Sequence, residues 1–573
     1  MASLQPRRVR GHTYWHIVES RRINGKPRPV PILYLGRADD LLARLTGTDA
    51  LQIRSRSHGA VAAAWAMAGE LDLAGTIDRH LRASGRRLRT GMGKDGGHPV
   101  RNDGLTVGES LTLAAVGRAC HATSKRGFAE WAATTTLGEL AGVKDVRRLT
   151  SQHFWDQMDQ VPVESLAPME QELVARVLER FPLPVDTLLF DATNFFTFIA
   201  STNTRATLPA RGHNKQKRDD LRQVGVALLC SRHGGIPLWH QTYGGQVADA
   251  KCFAQALPAF RQRIVELGRQ VESLTLVYDK GNVSRENQGR VDASKFHYVT
   301  GLTAASQAEL VSQANAKLAP VVLGNGEQVQ AYRTPCKIWG VERTAVVLVS
   351  ERLRQGQMRG ILQHVASAEQ WLSTLQETLR RGRQKRDRTR IQRDIETRLQ
   401  GRQRLSEVLH VELSGQDPHL RLTYRFDQQA FETLAAESLG RIVLITDRAA
   451  WSTAEIIGAY HGQSGIEAVF AHLKDPIHLA LRPQFHWTDQ KLHVHVFTCV
   501  VGYLLSRALF LRASQAQAPY ASMEALLDAL AEVRRVTIAR PSPTGKGRMK
   551  VTTQLETNDP ILTPLLPILG MND

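Results

Sequence analysis

Between residues 186 and 302 the apolar positions fall in short β-branched and aromatic runs, the texture of strands buried on both faces. TLLFDATNFFTF (187–198) predicts one strand, and RQVGVALLCS (222–231) and IPLWHQTYGG (236–245) flank Arg232-His233-Gly234-Gly235 as a hairpin. A run of helical period, DAKCFAQALPAFRQRIVELG (249–268), follows. Then come the strand LTLVYD (274–279), a short helix and the strand FHYVTGL (296–302). The first three strands can pair as a meander and the later ones need crossovers, so the expected product is a mixed sheet with helices on its faces.

That order is the order of an RNase H-like core, whose first and fourth strands lie side by side. Asp191 and Asp279 are then expected to be spatial neighbours. Upstream, TYWHIVES and VPILYLG surround Asn24-Gly25, a dipeptide suited to the positive φ of a tight turn, and predict a hairpin within residues 1–50. Residues 51–180 carry Ala- and Leu-rich helical period, broken by a Gly- and charge-rich loop at 89–104. This region reads either as a DNA-end-binding module or as a helical scaffold or dimerisation surface. Downstream, 352–410 is helical and Arg-dense and predicts an inserted helical hairpin or coiled-coil arm, followed by short strands around LRLTYRF (420–426). Its arginines suit either a solvated face or phosphate contacts. RIVLITD (441–447) returns as a core strand, and Ser452 with Glu455 forms a capping box opening the next helix.

The expected class is α/β: an RNase H-like mixed-sheet core with a long insertion between its second and third acidic residues, plus a mainly helical N-terminal region. The boundaries are 1–50, 51–180, 186–350, 351–435, 436–510 and a C-terminal region at 511–573. The 573 residues, 42% apolar, suffice for several buried cores. A formal net charge of +19 favours a polyanionic partner. Five cysteines without a CxxC pair argue against a zinc ribbon or a disulfide framework and suit a reducing cytoplasm. The N-terminus lacks the apolar stretch of a signal peptide. VHVFTCVVGYLLSRALFL (494–511), flanked by His and Arg, reads as a buried helix rather than a membrane span.

Chemistry concentrates on three acids. Asp191 and Asp279 stand on predicted strands, Asp279 at the very end of its run. Glu467 lies in YHGQSGIEAVFAHLK (460–474), a segment of helical period. Glu467 and Lys474 are seven positions apart, and Tyr460 is seven further back, so one continuous helix would put all three on one face. Two carboxylates on neighbouring strands and one on a helix can converge on Mg²⁺, a hard cation that takes oxygen ligands and retains water. Such a metal pair can activate water and steady the leaving oxygen of a phosphodiester.

Tyr460, Gln463, Glu467 and Lys474 keep a Y-x2-Q-x3-E-x6-K spacing, and here the chain resembles the DDE transposases of bacterial insertion sequences that carry a Tyr-Arg-Glu-Lys signature. DATNFF around Asp191, YDKGN around Asp279, GHNKQKRDDLRQVGVAL (212–228) and LRPQFHWTDQKLHVHVF (481–497) extend the resemblance in order over about 186–510. The resemblance implies that Asp191, Asp279 and Glu467 are catalytic and bind two Mg²⁺ ions, with Mn²⁺ as a substitute. It implies that Tyr460 and Lys474 contact phosphates, and that Gln463 stands where the family carries Arg, losing a bidentate grip. It further implies cleavage at terminal inverted repeats, strand transfer into target DNA, a homodimer in the synaptic complex, a hairpin intermediate, and a bacterial cytoplasmic, nucleoid-associated location with no membrane partner. A domesticated, inactive DNA-binding protein and an RNase H-like host nuclease are the alternatives.

Lys215, Arg218 and Asp220 are expected in a substrate-facing basic loop, with an ordinary surface loop as the other reading. His486, His493 and His495 sit among Val494, Val496 and Phe497 and are expected to be packed histidines rather than metal ligands. Trp239 and Trp487 are expected in the core or at hinges.

Overall fold

The computed structural model describes the chain except residues 1, 24–25, 40, 43–51, 85–103, 213, 215–217, 219, 382–386, 401–403, 418, 482–484, 541–548, 558 and 572–573. It forms two compact units, one of Met1–Ser165, Pro476–Ala480 and Val501–Asp573, the other of Leu166–Asp475 and Leu481–Val500. The six consecutive segments drawn from the sequence differ from this division, because strand pairing joins residues far apart in the chain.

The first unit opens with an antiparallel meander of β1 (Ala2–Val9), β2 (His12–Ile23) and β3 (Lys26–Gly36). The sequence predicted a two-stranded hairpin; Pro6, Arg7 and Arg8 hide β1 by interrupting its apolar pattern. The Asn24-Gly25 turn lies outside the described residues. The region at 51–180, expected to be helical throughout, begins with a strand, β4 (Gln52–Ser57). Helices Gly59–Glu70, Leu73–Ala83 and Val107–Cys120 follow and bury Ala63, Ala64, Leu81, Leu113 and Val116 completely. Apart from Gly104, the loop expected at 89–104 lies outside the described residues.

The second unit is built on a mixed nine-stranded sheet. Its strands are β5 (Thr187–Thr197), β6 (Arg222–Ser231), β7 (Pro237–Gly244), β8 (Thr275–Tyr278), β9 (His297–Leu302), β10 (Ala319–Val322), β11 (Gln328–Ile338) and β12 (Val341–Val349), with a ninth described below. Helices α1 (Asp249–Glu266) and α2 (Arg285–Ser294) provide the crossovers into β8 and β9, and β8 runs parallel to both β5 and β9. The succession of three strands, helix, strand, helix, strand is therefore present. Phe190 of β5 packs against Phe253 and Phe260 of α1, which closes one face of the sheet.

Between β12 and the strand that pairs with it lies the Arg-dense stretch. It folds as α3 (Glu351–Arg381), α4 (Arg388–Leu399) and a ribbon of β13 (Leu409–Gln416) and β14 (His419–Phe426). Ile361, Val365 and Leu372 join Leu413, Leu420 and Leu422 in a core of their own. The basic side chains lie outside this core, and several are paired: Arg354 with Glu351, Arg381 with Glu377. The chain then returns as β15 (Arg441–Thr446), which slots between β9 and β12 and gives the order β10-β11-β12-β15-β9-β8-β5-β6-β7.

Three helices complete the region: α5 (Thr453–His461), α6 (Ser464–Lys474) and α7 (Asp489–Gln515). The last is long and apolar enough to cross a membrane by length and composition, yet 83% of its apolar window is buried inside the protein. Its residues to Val500 belong to the second unit and the rest to the first. In the first unit the C-terminal region supplies β16 (Arg534–Arg540) and β17 (Lys550–Glu556), and β16 pairs with both β17 and β4.

Candidate active site

In the parallel pair of β5 and β8, Phe190 lies opposite Tyr278, the last residue of β8. The next residues are Asp191, within β5, and Asp279, just past the end of β8, so the two are neighbours across the strand pair. Phe190 and Tyr278 both pack against Phe253 of α1. Because side chains alternate across a strand, Asp191 turns to the opposite face of the sheet. Beyond Tyr278 the chain leaves the sheet, and the Asp279 carboxylate accepts from the Gly281 amide at 3.4 Å to start a short turn. The Asp191 carboxylate accepts from the Ala192 amide at 2.8 Å.

Helix α6 packs along that opposite face of β5. A Cβ built on Gly465 would lie 3.4 Å from Leu189, and the Lys474 ammonium donates to the Thr193 hydroxyl at 2.6 Å. Leu189, Asp191, Thr193 and Phe195 share one face of β5, so Asp191 faces α6 between those two contacts. Lys474 also stands over the Phe195 ring at 5.5 Å. The Tyr460 hydroxyl, at the end of α5, donates to the Asp279 carboxylate at 3.5 Å. Burial, with the Asp279 carboxylate and then the Glu467 charge, pushes the Tyr460 phenol well above its ordinary value, so it stays a proton donor.

One expectation is corrected. Tyr460 and Glu467 do not share a continuous helix: α5 stops at His461 and α6 starts at Ser464. At the junction the Gln463, Gly465 and Ile466 amides bond back three residues, to Tyr460, Gly462 and Gln463. This tighter winding breaks the seven-residue stacking that a continuous α-helix would give. Gln463 sits at this junction, and its side-chain Nε2 is buried with no hydrogen-bond partner among the described residues.

Asp191 stands in β5, Asp279 just past β8, and Glu467, exposed, in the first turn of α6, where its charge reaches Tyr460. Among the described residues, however, no three His, Cys, Asp or Glu side chains form a cluster that could hold a metal ion. Lys215 lies outside the described residues. Arg218 is exposed and makes a two-pronged ion pair with Asp220 at 2.8 and 2.7 Å, which draws the Asp220 carboxyl down to about 2. Asn214 holds that loop together by accepting from the Arg218 amide at 2.9 Å.

His495 is buried and lies 3.0 Å from the Leu481 carbonyl, with its ring stacked on His486 at 4.5 Å. Burial lowers the pKa of His493. These are packed histidines, as their apolar neighbours suggested. Trp239 is buried against Phe260. Trp487, expected in the core or at a hinge, is instead 64% exposed. Asn203 bonds its carbonyl at 3.1 Å and Asp489 anchors the following helix to the Thr207 and Leu208 amides, leaving the indole outside.

Sequence reading missed Thr193, Phe195 and Gly301. The alternation of DATNFF could have placed the first two with Asp191. Gly301 carries no local signal: a Cβ built there would stand 2.9 Å from the Tyr460 hydroxyl, so β9 admits the phenol only because this position has no side chain.

No family model matches the chain, and no curated protein matches it. Among solved structures, it is similar to a piggyBac transposase synaptic complex with hairpin DNA, determined by electron cryomicroscopy. The TM-score is 0.39 at 8% identity, over 80% of this chain and 77% of that one. Similarity at that level leaves function to be argued from this chain's own residues.

Proposed function

We propose that this chain is a DDE transposase of a bacterial insertion sequence, of the Tyr-Arg-Glu-Lys signature type, with an RNase H-like core interrupted by the Arg-dense module between Asp279 and Glu467. It acts in the cytoplasm as a homodimer at synapsis, cleaving at terminal inverted repeats and joining the ends to target DNA. The observation that supports this is that Asp191, within β5, and Asp279, just past the end of β8, follow the paired residues Phe190 and Tyr278, with Tyr460 bonded to Asp279 and α6 packed along β5.

The donor chemistry fits Mg²⁺. Two neighbouring carboxylates offer hard oxygen ligands, and Mg²⁺ is commonly held by one or two carboxylates with waters and substrate phosphate completing its shell. Asp191 and Asp279 would hold it, together with Glu467. When bound, a pair of Mg²⁺ ions, or Mn²⁺ in their place, supplies a Lewis acid that activates an attacking hydroxyl and steadies the leaving oxygen. The protein's own share is positioning. Tyr460, kept protonated, can turn its hydroxyl from Asp279 to a phosphate oxygen. Lys474, held over Phe195, supplies a fixed positive charge, and the buried Gln463 amide is a donor that a phosphate oxygen can satisfy.

The test is nicking of duplex DNA carrying the element's own ends, with Mg²⁺, by wild type, Asp191→Asn and Glu467→Gln. End-specific nicking by wild type, abolished in both variants while DNA binding persists, is the expected result. Binding without nicking by wild type would point to an inactive DNA-binding protein. Nicking of branched DNA regardless of end sequence would make it a host nuclease.

A further inference from the structure

The meander β1–β2–β3 has a basic, apolar face that the proposed catalytic site does not use. Of the seven basic side chains in residues 2–36, Arg8, Arg21, Lys26 and Arg28 lie on this face by register, together with the segment's one carboxylate, Glu19, which Arg21 pairs at 2.9 Å. Register sets the faces: Leu4 lies opposite Ile17, and Ile17 opposite Leu33, so one apolar stripe crosses all three strands. Leu4 is 51% and Leu33 54% exposed, so the stripe is open rather than packed on a core. On the same face Arg8 lies opposite Thr13 and Arg28 opposite Arg21, with Lys26 opposite Ile23 at the far end. The stripe is therefore bracketed by cations at both ends.

We propose that this face is a second DNA-contacting surface, which lies against duplex DNA with Arg8, Lys26 and Arg28 on backbone phosphates and the Leu4–Ile17–Leu33 stripe toward the groove. The inference deepens the DNA-processing reading above and rests on it for the partner's identity. Charge decides between the possible occupants. A second copy would set two strongly cationic faces together, and the repulsion opposes it; a polyanion is attracted. Strand addition by another polypeptide is blocked at the β3 edge. Pro27, Pro29 and Pro31 all pair with β2, which is possible only where the missing amide would have pointed outward. The dimensions suit a duplex. Three strands span about 10 Å between the outer two, and the major groove is about 12 Å wide and lined in part by thymine methyl groups.

The experiment uses the full chain in EDTA with a labelled random-sequence duplex and the matching single strand, measuring affinity across a salt series. Arg8→Ala, Lys26→Ala and Arg28→Ala combined should weaken duplex binding and reduce the slope of log K against log salt by roughly 2 to 3, about 0.9 for each phosphate no longer neutralised. The combined Arg8→Lys, Arg28→Lys protein should keep the slope, which separates lost charge from a damaged sheet. An unchanged slope in the alanine variant overturns the proposal. So does an equal loss on the single strand, or a loss of self-association with duplex affinity intact. Nicking by wild type and Asp191→Asn is scored separately, so failure of the catalytic reading and failure of this surface give different results.

Discussion

Gly301 matters because of what it lacks. The Tyr460 phenol lies against the backbone of β9, and Gly301→Ala would drive a methyl into it at 2.9 Å. Overpacking of this kind costs about 1–3 kcal/mol, and the phenol can relieve it by leaving Asp279. Gly301→Ala should therefore lower nicking while DNA affinity stays near wild type, and Tyr460→Phe should do the same without a loss of thermal stability. His58 gives a prediction in pH. It is buried with a ring nitrogen 2.7 Å from the Thr136 hydroxyl, and burial, with Arg535 and Arg56 adding and Glu139 opposing, lowers its pKa below 6.5. The unfolded chain thus takes up this proton before the folded one does. His58's contribution to stability is complete above about pH 6.5 and is lost as pH falls through the folded value. The thermal midpoint should drop more steeply on acidification in wild type than in His58→Gln. Asp191 and Asp279 were legible in the sequence because each lies on a short buried run that local residues define. Gly301 was not, since its role depends on a ring from 159 residues away.

At the scale of elements, the α5–α6 junction governs the site. The capping box expected from Ser452 and Glu455 is present: the Ser452 hydroxyl accepts from the Glu455 amide at 3.2 Å, and the Ser452 amide donates to the Glu455 carboxylate at 2.7 Å. Ser452→Ala should cost about 1 kcal/mol, seen as faster amide exchange across Thr453–His461, and should weaken nicking because Tyr460 is carried by that helix. The break after His461 escaped the sequence reading. A seven-residue spacing is compatible with one helix or with two joined by a tight turn, and Gly462-Gln463 keeps helical dihedrals through the junction. The arginine-dense module shows the converse. Its helical period was plain, but the core it makes with β13 and β14 depended on which face met which strand.

At the scale of the whole molecule, the first unit draws on both ends of the chain. β4 pairs with β16, and the His58 and Gly59 amides bond to the Val533 carbonyl at 2.9 and 3.1 Å. A fragment of residues 1–165 therefore lacks a sheet partner and a helix anchor, and should show no cooperative thermal unfolding. Co-expression with residues 501–573 should restore part of it.

What the sequence determined by itself was local: strand and helix periods, the carboxylates on their runs, the basic surplus and the histidines packed among valines. These follow from side-chain chemistry within a few residues. Tertiary structure decided which strands became neighbours, that Asp191 and Asp279 follow paired residues of β5 and β8, that helix α6 lies along β5, and that β4 pairs with β16. Those outcomes depend on packing between segments far apart in the chain, where no short pattern of apolar and polar residues specifies the partner.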